Sequence, residues 1–222
     1  RLPTTVMVRN RFSLVNDYFD DVAWMALAMG RAATELGIDT GWRQFQLARH
    51  LHDAWDEADG GIPWRRGDAF RNVPANGSMA ILMARLGRVN RARAAVEWID
   101  RRLLDDATHL ILEGVRPDEV DRRIFTYNQG LVVGAELELV IRGDDPIRLH
   151  RLVAAIREHA TRDGVLQECG GGDGGLFAAI TARYLTRVAR LLPGEDAASV
   201  ATRARCVDMV TSSADAAWRH AA

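Results

Sequence analysis

The sequence predicts an all-α protein built as an array of helical hairpins. Three observations predict it: helical spacing of apolar residues nearly end to end, strict alternation of two helix types, and a repeat of roughly 50 residues in the starts of one type. Helices are expected at roughly 18–37, 42–58, 75–87, 90–104, 128–142, 147–161, 174–192 and 196–219. Glycine or proline breaks most of the connections, at Gly37, Gly60-Gly61, Gly87, Pro117, Gly143, Pro146, Gly170 to Gly175, Pro193 and Gly194. The segment 105–126 departs from this pattern. Its aliphatic patch Leu110 to Val115 suits a small hairpin on a rim.

Each element has a stated basis. The first helix carries Val22 to Met29 without a charge, and Leu131 to Ala135 and Leu176 to Ala179 mark similar helices. Helices apolar all round are expected to be buried on all sides. Between them lie amphipathic helices, with stripes Phe45, Ala48, Leu51, Trp55; Ala92, Ala95, Val96, Ile99, Leu103; and Leu149, Leu152, Val153, Ile156, Ala160. Arginines and acids fill their other faces, so each is expected to turn one side to solvent. A buried helix followed by a covering one gives two layers. Periodicity leaves open whether the array stays an open solenoid or closes into a ring.

Composition narrows the function classes. The 222 residues, 48% of them hydrophobic, can bury a large core, and no linker-like stretch divides residues 1–222, so a single domain is expected. Net charge is -1 with both signs interspersed, so no nucleic-acid partner is expected. No apolar run approaches the ~20 residues of a membrane span. The chain has no lysine, which excludes Schiff-base, pyridoxal-phosphate and Walker A chemistry on its own residues. Cys169 and Cys206 are expected to be free thiols. The chain opens on Arg1 and stops at Ala222 within a helical pattern, so a fragment of a longer protein is expected, with no targeting signal to read.

Four polar, glycine-rich segments precede the buried helices: Asn16 to Trp24, Asp59 to Trp64 continued by Arg71 to Gly77, Thr126 to Gly130, and Glu168 to Gly175. In a hairpin array the buried helices run parallel, so these segments share one rim. Their Trp and Tyr faces suit the apolar face of a sugar ring, and Asp, Asn and Gln suit its hydroxyls. Taken singly, each has a plainer reading: Asp20-Asp21 as helix-start residues favoured by the dipole, Asn128 as a cap, the glycines as turns, Trp24 as core. Taken together, they point to a carbohydrate site.

Asp20 and Asp21 are the candidate catalytic pair. Retaining glycosidases hold two carboxyls about 5–5.5 Å apart and inverting ones about 6.5–9.5 Å. Neighbouring residues at a helix start diverge by about 100°, with Cβ atoms near the shorter value. Mutual repulsion raises one pKa and supplies a protonated acid. Rival chemistries find little support. His50, His52, His150 and His159 sit on covering helices and His220 in the tail, with only His109 in a rim segment. No His/Cys/Asp set has metal-ligand spacing, so no metal or cofactor is expected. Ser78 lacks a nucleophile-elbow setting.

The Tyr-x-Asp-Asp-x-x-Trp segment Tyr18 to Trp24, the Gly-Gly-Ile-Pro-Trp stretch ending at Trp64, Asn72 with Asn76, the Thr-Tyr-Asn-Gln-Gly box 126–130 and the Cys-Gly-Gly-Gly-Asp-Gly-Gly-Leu-Phe segment 169–177 occur in that order. From Asn16 to about Leu192 the chain thereby resembles glycoside hydrolase family 76, the endo-α-1,6-mannanases, and especially its actinobacterial branch. The resemblance implies an (α/α)6 barrel, of which about four of six hairpins are present here. It implies a retaining mechanism on α-1,6-linked mannose, with Asp20 as nucleophile and Asp21 as acid/base. It places Tyr18, Trp24, Trp64, Asn72, Asn76, Tyr127, Asn128, Gln129 and Asp173 along a substrate groove, for an oligo- or polysaccharide bound by a monomer. The sequence departs from the family pattern at Met25, where a second Trp is common, and at Ala178-Ala179, where Lys-Gly is common. Two other readings are a non-catalytic carbohydrate binder and a sugar 2-epimerase, the latter disfavoured because such enzymes use histidines facing the cavity.

Overall fold

The hairpins begin where an Asn side chain starts a turn. In the computed structural model, the Asn16 side chain accepts the Tyr18 N–H at 2.9 Å, and the first helix, α1 (Phe19–Leu36), follows at once. The structure describes residues 13–167 and 172–221 together with positions 5, 7 and 8, without the side chains at 172, 173, 220 and 221. Gly37, at φ 63°, takes the left-handed conformation that ends α1. The chain continues through α2 (Gly41–Asp53), β1 (Arg71–Asn72), α3 (Val73–Arg85), α4 (Val89–Leu103), β2 (Gly114–Arg116), β3 (Glu119–Asp121), α5 (Thr126–Val140), α6 (Ile147–His159), β4 (Thr161–Arg162), β5 (Val165–Leu166), a 3-10 turn (Gly172–Leu176), α7 (Phe177–Leu191) and α8 (Ala197–Ala221).

Among the described residues, four helical hairpins form two layers. The inner helices α1, α3, α5 and α7 pack consecutively against one another, and each also packs on its own outer partner α2, α4, α6 or α8. Two lining sets fix the direction of the inner helices. Asp20, Pro74 and Tyr127, from the starts of α1, α3 and α5, face one cleft. Glu35, Arg85, Glu138 and Arg190, from the far ends, face another. The inner helices are therefore parallel, and their N-termini share a rim.

Burial follows position in the array. Val73 to Ala84 of α3 is buried throughout, and so is α5 apart from Tyr127. Each of these helices is flanked on both sides by inner neighbours. The expectation for α7 needs correction. Leu176, in the turn before α7, is 65% exposed, and Ala179 and Arg183 also face solvent. Among the described helices, α7 packs mainly on α5 and on its own outer helix, and one stripe stays open. Glycine lets two inner helices approach closely. A Cβ on Gly130 would stand 2.6 Å from Thr181 Cα, and one on Gly134 would stand 2.4 Å from the Tyr184 ring, so α5 and α7 touch there.

The rim hairpin is present and larger than expected. β2 and β3 pair antiparallel, and β1 joins through Arg71 opposite Val115, giving three strands over the inner-helix N-termini. A second small hairpin, β4–β5, turns through Asp163 and Gly164, both at positive φ, and lies on α8. Two-residue turns of this kind favour Asp-Gly. α2 ends at Asp53, about one turn earlier than its pattern suggests, and Asp56 then accepts the amides of Ala58 and Asp59. Cys206 is a buried free thiol, its pKa pushed up to about 12 by burial, while Cys169 lies outside the described residues. No described helix is long and apolar enough to cross a membrane.

Candidate active site

The cleft over the inner-helix N-termini is assembled by backbone pairing. Phe19 N–H donates to Trp64 O at 2.9 Å, Trp64 N–H to Phe70 O at 2.7 Å, and Arg66 N–H to Asp17 O at 2.8 Å. These bonds lay the loop 62–70 across the start of α1. The loop is anchored below by Asn76, whose amide accepts the Ile62 N–H at 2.7 Å and donates to Ile62 O at 2.9 Å and Asn72 O at 2.8 Å. Gly60 and Gly61 precede it at φ 76° and 77°, where a Cβ would press on the Trp98 indole. The result is a fixed indole. Trp64 Nε1–H donates to Asp20 Oδ2 at 3.1 Å, and the Trp64 ring meets Tyr18 edge-on with centroids 5.2 Å apart.

Asp20 lies in the first turn of α1, half-buried, and its Oδ1 accepts the Asp21 N–H at 2.9 Å. Burial raises its pKa above the ordinary carboxylate value, and the neighbouring Asp21 charge adds to the rise. The Asp21 amide and the Trp64 indole offset part of it, and the raised carboxyl is thus the candidate nucleophile rather than the expected protonated acid, because burial outweighs repulsion. Asp21 itself is exposed, and its Oδ2 accepts Asn16 Nδ2–H at 2.8 Å. No side-chain cap is made at the start of α1, so neither aspartate acts as the N-cap. Asp20 lines the cleft, whereas Asp21 is exposed and is not among the residues that line it, so the expected pair is not brought into the cleft together.

The opposite wall comes from α5 and the strand region. Tyr127 sits in the first turn of α5, packed on Phe177 at 4.2 Å between centroids. Its hydroxyl donates toward Glu113 at 3.3 Å, and Asn128 Nδ2–H donates to the same carboxylate at 2.7 Å. Burial and the charges of Glu113 and Asp20 raise the Tyr127 pKa, so the phenol stays neutral and remains a donor. Glu113 is only 6% exposed, and burial raises its pKa too. Asp20, Trp64, Phe70, Asn72, Glu113 and Tyr127 line a cleft of about 480 Å³, with Arg116, Asp121 and Arg123 at its mouth. Arg123 is held by Asp121 and Arg116 by Asp68, so neither brings a free charge.

The residues read from sequence divide into groups. Asp20, Trp64, Asn72 and Tyr127 meet in the cleft. Tyr18 stands behind Trp64, and Asn128 stands behind Glu113. Asn76 and Gln129 are fully buried and turned inward. Gln129 accepts the Ile111 N–H at 2.8 Å and donates to Ile111 O and Phe125 O. Their amides support the rim loops, and no group of either is left for a ligand. Asn72 caps α3 through the Ala75 N–H, whereas Phe125, not Asn128, occupies the N-cap of α5. Trp24 is half-buried along a separate groove with Ala28 and Arg31. Asp173 falls on a side chain outside the described ones.

Glu113 is the buried carboxylate of the cleft that the sequence reading missed, along with Phe70 and the charged residues Arg116, Glu119, Asp121 and Arg123. Its signal was an acid embedded in the aliphatic patch Leu110 to Val115, where a carboxylate is costly unless donors meet it. Among the described residues no group of three or more His, Cys, Asp or Glu side chains is arranged to hold a metal ion. His50 stacks on Phe19 at 5.3 Å and His150 bonds Thr202 at 2.8 Å, both away from the cleft.

The model for Glycosyl hydrolase family 76 matches residues 4–222. Among solved structures, the chain is similar to the GH76A alpha-1,6-mannanase from Salegentibacter sp. HEL1_6, at 24% identity and a TM-score of 0.83, covering 96% of this chain and 68% of that one. An inactive variant of that enzyme, with two adjacent aspartates changed to asparagine and alpha-1,6-mannotriose bound, gives 25% identity, a TM-score of 0.84 and the same coverage. Dfg5 from Chaetomium thermophilum, in complex with glucosamine, matches at 18% identity and a TM-score of 0.76, over 90% of this chain and 56% of that one. No curated protein matches the chain.

Proposed function

Since the chain belongs to glycosyl hydrolase family 76, we propose that it serves as a retaining glycosidase on α-1,6-linked mannose, with residues 1–222 forming part of a single α/α-barrel catalytic domain. The observation that carries this reading is the Asp20 carboxylate, fixed by the Trp64 indole in a cleft faced by Tyr127 and Glu113, with a second carboxylate next in sequence. The inactivity of the Salegentibacter variant, altered at two adjacent aspartates, supports a catalytic role for such a pair. The lysine-free, alanine-rich composition supports placement in the actinobacterial branch.

In the proposed reaction an Asp20 oxygen attacks the anomeric carbon as the C1–O bond to the leaving sugar breaks. Asp21 gives its proton to the departing oxygen. The resulting ester on Asp20 is then opened by water, whose proton returns to Asp21, and the product keeps the α configuration. Glu113 and Tyr127 would bind sugar hydroxyls across the cleft, and Trp64 would offer its ring to the sugar's apolar face.

The test is hydrolysis of α-1,6-mannan by the protein and by its Asp20→Asn and Asp21→Asn variants. Each variant is expected to lose activity by about 10³-fold or more. Undiminished turnover in either would remove that residue from the mechanism. The exposure of Asp21, outside the cleft lining, favours a second reading, a carbohydrate binder without turnover. Tight mannotriose binding with no product would decide for it.

A further inference from the structure

At the opposite end of the inner helices a second cleft, of about 640 Å³, has a very different character. It is lined by the C-terminal ends of α1, α3 and α5 and the C-terminal half of α7. Six arginines and two glutamates face it, on a chain whose net charge is -1. At its base Glu138, 3% exposed, holds three arginines. Arg85 Nε donates to its Oε1 at 2.7 Å, Arg187 at 2.9 Å, and Arg142 bonds its Oε2 at 3.0 Å. Three further arginines, Arg31, Arg183 and Arg190, are exposed and make no ion pair among the described residues.

Arginine at helix C-termini has a plain role, offsetting the partial negative charge of the helix end. Its magnitude decides here. Each end carries about half a negative charge, so the four ends together offset about two of the four surplus positive charges. Glu138 is already over-matched by its own three partners, which are held in place with N–H groups to spare. The three arginines on Glu138 present planar donors held in place, and Arg31, Arg183 and Arg190 add mobile positive charge beside them, a combination that suits the tetrahedral oxygens of phosphate.

We propose that this cleft is a binding site for a phosphate-bearing anion, separate from the carbohydrate cleft. The ligand is a small polyanion or the headgroup of an anionic lipid, held by Arg31, Arg183 and Arg187 over the Glu138 base. The proposal stands whether or not the protein hydrolyses mannan.

Calorimetric titration of the 222-residue protein with inorganic pyrophosphate tests it. Saturable binding is expected, weakening steeply as salt rises. The Arg31→Gln/Arg183→Gln variant, which loses two exposed side chains without ion pairs among the described residues, is expected to keep the wild-type circular dichroism spectrum and to bind at least about 10-fold more weakly. Co-sedimentation with phosphatidylcholine vesicles, with and without phosphatidic acid, separates the sources. Binding only to the anionic vesicles supports a lipid headgroup, and pyrophosphate binding without vesicle binding supports a soluble ligand. No saturable heat with pyrophosphate, or equal affinity in the arginine variant, overturns the site.

Discussion

Asp20 stands under opposing influences, and each can be removed by substitution. Burial raises its pKa, and the Trp64 indole lowers it through the bond at 3.1 Å. Trp64→Phe keeps an aromatic ring beside Tyr18 but deletes the donor. The Asp20 pKa then rises, so the acidic limb of the kcat/KM profile on α-1,6-mannan is expected to move to higher pH, with a loss of about 10-fold at the optimum. An unmoved limb would detach the indole from Asp20. Glu113 gives a contrasting case. Its folded pKa lies above the unfolded value, so its contribution to stability is greatest at low pH and is lost as pH rises and the buried group ionises. Glu113→Gln removes that cost while keeping an acceptor for Asn128. The variant is expected to melt at or above the wild-type temperature at pH 8 and to cleave mannan at least about 10-fold more slowly. A lower melting temperature would make Glu113 a structural group. At this scale Asp20, Trp64, Asn72 and Tyr127 were legible as rim residues. Asn76 and Gln129 were not legible as internal braces, because the partners that consume their amides, Ile62 and Ile111, lie 14 and 18 residues away.

Between elements, the tightest constraint is the seam of α5 and α7. Gly130→Ala would gain about 1 kcal/mol of helix propensity. It would also drive a methyl into the Thr181 backbone, which cannot rotate aside. A net destabilisation of about 1–3 kcal/mol is expected by denaturant unfolding, and a stabilised variant would show that the seam has slack. A second feature is Glu136 on α5, 3% exposed and paired with Arg148 of α6 at 2.9 Å. Burial raises its pKa to about 7 despite Arg148. Because the folded pKa exceeds the unfolded one, this group's favourable contribution is present below about pH 4.5 and disappears as pH climbs through about 7. The contribution is of order 3 kcal/mol. Glu136→Gln is expected to flatten the pH dependence of unfolding between pH 4.5 and 7, and an unchanged slope would assign that dependence to other groups. Helix starts and stops were readable where a glycine or a cap marked them, as at Gly37 and Asn72. The three-stranded rim sheet was less so, because β1 is two residues long and pairs with a strand about 40 positions later.

For the whole molecule, the alternation of two helix types carried the architecture, since a helix apolar all round must be covered on every side. That argument worked for α3 and α5, which have inner neighbours on both flanks, and overreached for the two end helices: Ala28 of α1 is exposed with Trp24 and Met25 half-buried, and Leu176, just before α7, faces solvent. Parallel inner helices gather their N-termini, and so the polar boxes that open them, onto a single rim. The same geometry gathers the arginine-bearing C-termini onto the other. One scaffold thus separates an acidic, aromatic cleft from a cationic one. The claim that joins these scales is that Asp20 is a nucleophile in a retaining reaction. Proton NMR of α-1,6-mannan during the first minutes of digestion tests it most directly. The account predicts new reducing ends that appear first as the α anomer, and none from the Asp20→Asn variant. Product appearing first as the β anomer, or undiminished release by the variant, would contradict it.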